Sequence, residues 1–500
     1  MKILLIQPQY RTADLPTYFP LGLAYIAAVL RDAGHEIKVI DIEGNRYPPG
    51  EVERRIVSED YDAVGISALI TKYKYLKREL IPLIRAKKPG VPIVIGNSLA
   101  TAIPKMTLTH VGADVAVIDE GEVTAVELFN ALAKGWDENK LAAIDGIAFR
   151  KKDGSVVITK PRGFIQNLDT IPFPAWDLFP TEEYAKNMPL LHAVFLDALK
   201  PMRGINVSTV RGCPFRCNYC FKVFGRNVRW RSADNIVQEI KTLKERYDIQ
   251  YVSFSDDLFT VNRTRVEEFC NRLIKENLGI KFFISARVNT VDEPMLRLLH
   301  KAGVVQLTYG IESGSNVILK NMNKMATKEM AYKAVVASRK AGISPNPSFI
   351  IGYPGETKDS VEETVRFCEE LGLATEFFFA TAYPGTVLYE QARAMGKIPD
   401  EDAYFESLGE MSQNLLINFT EMSEEELKKL KAEGDRRTRE SKLGKLLRIG
   451  KTLGPGKMIN AAVTRGICKV IKIVRNRELR MKASAAAPNL LREPSQSGPQ

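Results

Sequence analysis

Short apolar runs alternate with amphipathic stretches through the first 134 residues. Strands are predicted at KILLIQP (2–8), EIKVIDI (36–42), DAVGIS (62–67), PIVIGN (92–97) and DVAVID (114–119). Between them, segments such as LGLAYIAAVLRDAG and KYLKRELIPLIRAKK place apolar residues every three or four positions, the period of a helix with one buried face. Near-continuous apolar strands separated by such helices mean a parallel sheet covered on both faces, so residues 1–134 read as a doubly wound α/β domain. Its ligand would sit beyond the strand C-terminal ends, near Gln9, Ser67–Leu69, Gly96–Thr101 and 119–122.

The rhythm breaks over residues 135–200. DGIAFRKKDGSVVITK predicts a hairpin turning at Asp153–Gly154, and the proline-punctuated IPFPAWDLFP follows as a connector. Alternation then resumes six times over 201–395, with strands near 204–210, 251–256, 281–287, 304–312, 347–352 and 375–382. Six βα units fall short of a full eight-stranded barrel and read as a partial, open (β/α)6 barrel, with its site at the strand C-terminal ends. Residues 396–482 read as helical and basic, and the tail 483–500, small, polar and proline-bearing, as disordered.

Composition sharpens this picture in two places. The net charge of +11 is local: from Ser441 to Lys482 there are 12 Lys and Arg against one acid, Glu478, so the other 458 residues balance. That excludes the broad basic footprint of a nucleic-acid-binding protein, and no RNA-binding module accompanies the charge. Around 459–475, Ile459, Val463, Ile467, Val470 and Val474 share one helical face, and Arg465, Lys469 and Lys472 line another. Such a helix either closes on the barrel or makes peripheral contact with an anionic membrane. No apolar run approaches the roughly 20 residues of a membrane span. MKILLIQPQY lacks the form of a signal peptide, so the expected compartment is the cytoplasm, reducing to thiols, with membrane association as the alternative.

The second place is RGCPFRCNYCF (211–221), which holds three of the six cysteines in the loop after the first barrel strand. Cys270, Cys368 and Cys468 are scattered on helical stretches and read as buried structural thiols. A closed zinc site normally needs four ligands, and the four histidines, His35, His110, His192 and His300, all lie far away in sequence. Zinc completed by a distant cysteine is one reading. Three thiolates on a [4Fe–4S] cluster whose fourth iron stays open is the favoured one.

With Tyr219 as its aromatic, the CxxxCxΦC spacing after the first strand of a six-unit barrel resembles the radical S-adenosylmethionine (SAM) superfamily over about residues 195–395. The resemblance implies that Cys213, Cys217 and Cys220 ligate three irons and that SAM binds the fourth. One electron would then split SAM, and the adenosyl radical would remove a hydrogen atom from substrate. SAM-binding positions carried over on this basis are Tyr219, Asp256 and Asp257 (where the family often has Gly-Gly-Glu), Ser285, Arg287, Glu312 of YGIESG and Gly352 of GYPGET.

A doubly wound domain ahead of such a barrel resembles the cobalamin-binding branch. GNSLAT matches that branch's Gly-Gly-x-His-x-Thr at Gly96 and Thr101 and departs at Asn97 and Leu99. Glu120–Gly121–Glu122 matches its Gly-Glu-Gly-Glu with Asp119 in place of the first glycine. The implied cobalamin contacts are Gln9, Ser67, Leu69, Gly96, Asn97, Thr101, Glu120 and Gly121, without the Asp-x-His-x-x-Gly motif of a cobalt-ligating histidine. The resemblance implies three cofactors, a [4Fe–4S] cluster, SAM and cobalamin, and an external electron donor of flavodoxin or ferredoxin type. It also implies methylation of an unactivated carbon in a small-molecule or lipid substrate. Cyclisation, ring contraction or oxidation without methyl transfer is the alternative. An RNA methylthiotransferase is disfavoured, because residues 1–200 contain no cysteine for a second cluster.

Overall fold

The computed structural model of the chain describes residues 1–10, 15–48, 50–188, 202–409 and 413–439. Five strands fall on the first five predicted runs: β1 (Lys2–Gln7), β2 (Glu36–Asp41), β3 (Ala63–Ser67), β4 (Ile93–Gly96) and β5 (Val115–Val117). They pair in parallel in the order β2-β1-β3-β4-β5. Every residue of β3 is buried, as a sheet covered on both faces requires. Strand order reverses between β1 and β3, which opens a crevice at their C-terminal ends.

The hairpin corrects the boundary drawn at residue 134. β6 (Ile147–Arg150) and β7 (Val156–Ile158) pair antiparallel, and β6 also pairs with β5, so the first sheet has seven strands. The three-residue β5 would otherwise leave an open edge, and the hairpin covers it while burying Ile147, Ala148 and Phe149.

Six parallel strands form the second sheet in sequence order: β8 (Gly204–Val207), β11 (Tyr251–Phe254), β12 (Lys281–Ala286), β13 (Val304–Glu312), β14 (Ser344–Ile351) and β15 (Phe377–Phe379). The sheet curls as a half-barrel. β14 starts three residues before the predicted run because Pro345 masks its first paired residues. Pro345 and Pro347 are both tolerated, since β15 joins β14 only from Phe349 onward and each proline therefore faces one neighbouring strand. β9 (Val210–Arg211) and β10 (Arg229–Trp230) form a separate antiparallel ribbon at the root of the cysteine loop.

The two sheets share a core. One continuous apolar cluster runs from Leu5, Phe129 and Phe149 to Phe254, Phe282 and Phe349. Phe19 binds Asn206 of β8 through both backbone groups, at 2.7 and 3.0 Å. The helix Glu401–Ser407 returns to the first domain, where Phe405 meets Tyr73 and Lys77 pairs with Asp402 and Glu406 at 2.5 and 2.8 Å. The helix Glu424–Thr438 closes the barrel's far edge: Arg437 pairs with Glu362 and Glu369, and Asp435 accepts from the Phe377 amide. The basic stretch 441–482, the tail 483–500, Cys468 and His192 lie outside the described residues. Among the described residues, no helix is long and apolar enough to cross a membrane.

Candidate active site

The cysteine loop is held at its root. Gly212 sits at φ 89°, and a Cβ there would lie 2.3 Å from the Asn227 carbonyl, so the ribbon closes only with glycine. Asp257 accepts from the Gly212 amide at 2.8 Å. Cys217 is buried, Cys213 half-buried and Cys220 exposed. Arg287, at the end of β12, lies over the Phe215 ring at 3.8 Å and donates through Nη1 to Cys217 Sγ at 3.3 Å. Its other Nη donates to the Lys324 carbonyl.

β13 carries the next group. Its register with β14 shifts between Gly310 and Glu312, and Glu312 takes φ 75°, which turns its carboxylate inward. A Cβ on Gly310 would fall 2.4 Å from Glu312 Oε1, so that glycine makes room for the carboxylate. Lys324 Nζ donates to Glu312 Oε1 at 3.0 Å and to the Tyr219 hydroxyl at 3.1 Å. Burial, with Glu312 and Cys217 adding to it, pushes the Tyr219 phenol well above its ordinary range. The Tyr219 ring also meets Tyr353 edge-on, beside Gly352 at φ 84°. Lys324, 4% exposed, was not legible in the sequence: nothing in NMNK distinguishes it from a surface lysine.

Asp256 is used differently from its sequence-level assignment. It accepts from Thr209 N and Oγ1 and from Val210 N, at 2.5, 2.5 and 2.9 Å, while Arg265 binds the same Thr209 hydroxyl at 2.7 Å. Its carboxylate pins the strand exit ahead of the cysteines, because three donors leave it little to offer a ligand. Ser285 stands half-buried on β12.

The crevice predicted at the first sheet is a cleft with about 1460 Å³ of empty space, open mouth included. Ser67, Leu69, Gly96, Asn97, Glu120 and Gly121 line it from the first domain. Asn206, Ser208, Arg211 and Ser255 line it from the barrel. Gln9 and Thr101 are not in the lining. Thr101 instead accepts from the Asp119 amide at 2.9 Å, bracing that residue at φ 60°. Asn97, at φ 74°, donates to Ser67 Oγ at 3.1 Å. Among the described residues, no histidine lines the cleft.

Glu120 also departs from its expected role. Its Oε1 accepts from Arg211 at 2.9 Å and Arg229 at 2.7 Å, and its Oε2 accepts from Arg229 and from the Ile165 amide. Glu122 takes the second nitrogen of Arg211 at 2.5 Å. Burial works against the Arg211 charge, but Glu122 and Glu120 outweigh it and raise its pKa. These four charges, each at most 7% exposed, lock the first sheet to the ribbon that carries the cysteines.

The residues present fit two of the groups that the sequence implies, the cluster and the flat cobalamin ring. Among the described residues, no three His, Cys, Asp or Glu side chains are arranged to hold a single metal ion. A cube of four irons asks for something else, since it offers each thiolate its own iron. A floor of Gly65, Ser67 and Gly96 suits a large flat ligand, and a Cβ on Gly96 would meet nothing within 4 Å.

Residues 207–368 match the Radical SAM superfamily, and residues 15–129 match the B12 binding domain. An uncharacterized methyltransferase of Pyrococcus horikoshii is 35% identical over 403 residues, covering 79% of this chain and 83% of that protein. The anaerobic magnesium-protoporphyrin IX monomethyl ester cyclase of Rubrivivax gelatinosus is 29% identical over 378 residues, covering 74% and 66%. Among solved structures, the radical SAM methyltransferase TsrM from Kitasatospora setae aligns with a TM-score of 0.64 at 19% identity, covering 79% of this chain and 76% of that one, a likeness of fold. The chain belongs to the radical SAM superfamily, in the branch with an N-terminal B12-binding domain, whose cofactors are SAM, a [4Fe–4S] cluster and cobalamin.

Proposed function

We propose that this enzyme transfers a methyl group to an unactivated carbon of a small-molecule or lipid substrate. The observation that carries the reading is a cleft lined from both sides, by strand ends of the B12-binding sheet and by Arg211, two residues before Cys213. When bound, the cluster and SAM supply a radical and cobalamin supplies the methyl group. The chain's own residues do the rest. Arg287 and Phe215 fix the loop over Cys217, Lys324 fixes Glu312 and Tyr219 beside it, and the Glu120–Arg211–Arg229 lock sets the spacing between the two halves. Anaerobic turnover with methyl-labelled SAM tests the proposal: label in the product supports it, and SAM cleavage with no label in any product rejects it. The second reading, a cyclisation or oxidation without methyl transfer, is favoured by the similarity to the magnesium-protoporphyrin cyclase. It predicts 5′-deoxyadenosine without S-adenosylhomocysteine.

A further inference from the structure

We propose that the inner face of the half-barrel is a chamber for an uncharged, polyhydroxylated small molecule of the sugar or cyclitol kind. The inference rests on the methyl-transfer reading for that ligand's identity as substrate, and it narrows the reading by excluding an apolar lipid. Side chains alternate between the two faces of a strand. Ile205, Val252, Ile284, Leu307 and Phe349 belong to the apolar cluster shared with the surrounding helices, so their neighbours in sequence face the lumen.

Strand register sets two tiers on that face. The lower one joins Asn206, Ser253, Phe283, Gln306 and Ser344 across neighbouring strands. In the upper one Ser285 stands beside Thr308 and Thr308 beside Asn346, whose amide donates to the Thr308 hydroxyl at 3.4 Å. None of these positions carries a charge, and Phe283 is the one apolar side chain among them. A closed eight-stranded barrel fills the same space with Val, Ile and Leu. Asn206 is committed to Phe19. Gln306 and Ser253 are not committed: each is at most 3% exposed, and neither side chain bonds to anything among the described residues. A buried amide or hydroxyl is destabilising until something meets it. Both groups donate and accept, which matches the hydroxyls of a polyol. An alkyl chain would leave them unpaired.

The chamber also lies where the chemistry needs it. Arg287 and the inward-turned Glu312 stand further along β12 and β13, so a ligand on the two tiers lies below the positions assigned to SAM. Asn206 belongs both to the lower tier and to the lining of the cleft, so the chamber opens into the cleft between the two sheets.

The test uses the full chain, myo-inositol and octanol as probes, and two variants, Gln306→Met and Thr308→Val. Saturation-transfer NMR is expected to show inositol bound and octanol not. The inositol dissociation constant should weaken about tenfold in each variant, the effect of a lost hydrogen bond. Gln306 has no partner in the fold and Met nearly keeps its volume, so the Gln306→Met urea midpoint should stay level or rise. Unchanged inositol affinity in both variants overturns the proposal, as do stronger binding of octanol by the wild type and binding of neither probe. A lowered Gln306→Met midpoint overturns it as well, because the amide would then serve the fold. Turnover with methyl-labelled SAM is a separate decision: inositol binding that the variants weaken, with no labelled product from any substrate, rejects methyl transfer and leaves the chamber in place.

Discussion

Arg287 and Lys324 show how few side chains fix the cluster region. Each is at most 7% exposed, and the Arg287 guanidinium caps the Lys324 backbone. Lys324→Met leaves Glu312 buried and unpaired, which should destabilise the apo chain by about 3–5 kcal/mol, read as a lower urea midpoint. Lys324→Arg should recover part of that loss. Glu356 makes a pH prediction. Burial pushes its carboxyl up to about 8, while its Oε2 accepts from the Gly352 amide and Oε1 has no partner. The folded value lies above the ordinary one, so the native state holds the extra proton between pH 4.5 and 8 and loses stability as pH rises through that window. Glu356→Gln should flatten this slope by up to ~1.4 kcal/mol per pH unit, seen in urea midpoints measured from pH 5 to 8. The cysteines were legible because their chemistry is written in a local spacing. Lys324 was not, because a bulge twelve residues earlier decides what it meets.

At the level of elements, strand patterning was read well wherever both faces of a strand are buried. It missed only the first three residues of β14, where Pro345 obscures a strand that is paired on one side over that stretch. The hairpin was recognised but not its partner, since edge pairing with β5 leaves no periodic trace. The Gly-Glu-Gly-Glu resemblance led to Glu120 as a ligand contact, although both of its oxygens are committed to arginines 91 and 109 residues away. Glu120→Ala strands Arg229 and half of Arg211. It should cost about 3–5 kcal/mol and split a single calorimetric transition into two, one for each half. Gly96→Leu probes the cleft floor. Its side chain enters open space, so the apo fold should keep its stability to within about 0.5 kcal/mol. The rise in melting temperature on adding cobalamin should disappear.

For the whole molecule, the order of α/β domain and partial barrel was legible because each half has its own period and its own run of βα units. Their mutual placement was not, since it rests on pairs such as Phe19 with Asn206 and Tyr73 with Phe405, separated by 187 and 332 positions. In wild type, cobalamin at a hundred times its dissociation constant should add about 2.7 kcal/mol of stability, measurable as a shifted denaturation midpoint. The lock between Glu120 and Arg229 has a consequence for biogenesis. Its contributors come from opposite sides of a 109-residue separation, so the ribbon that gathers the thiols is tied to the first sheet only after both sheets have folded and met. We expect iron insertion to be a late event in the life of the chain, since a nascent or half-folded protein presents its cysteines without this tie.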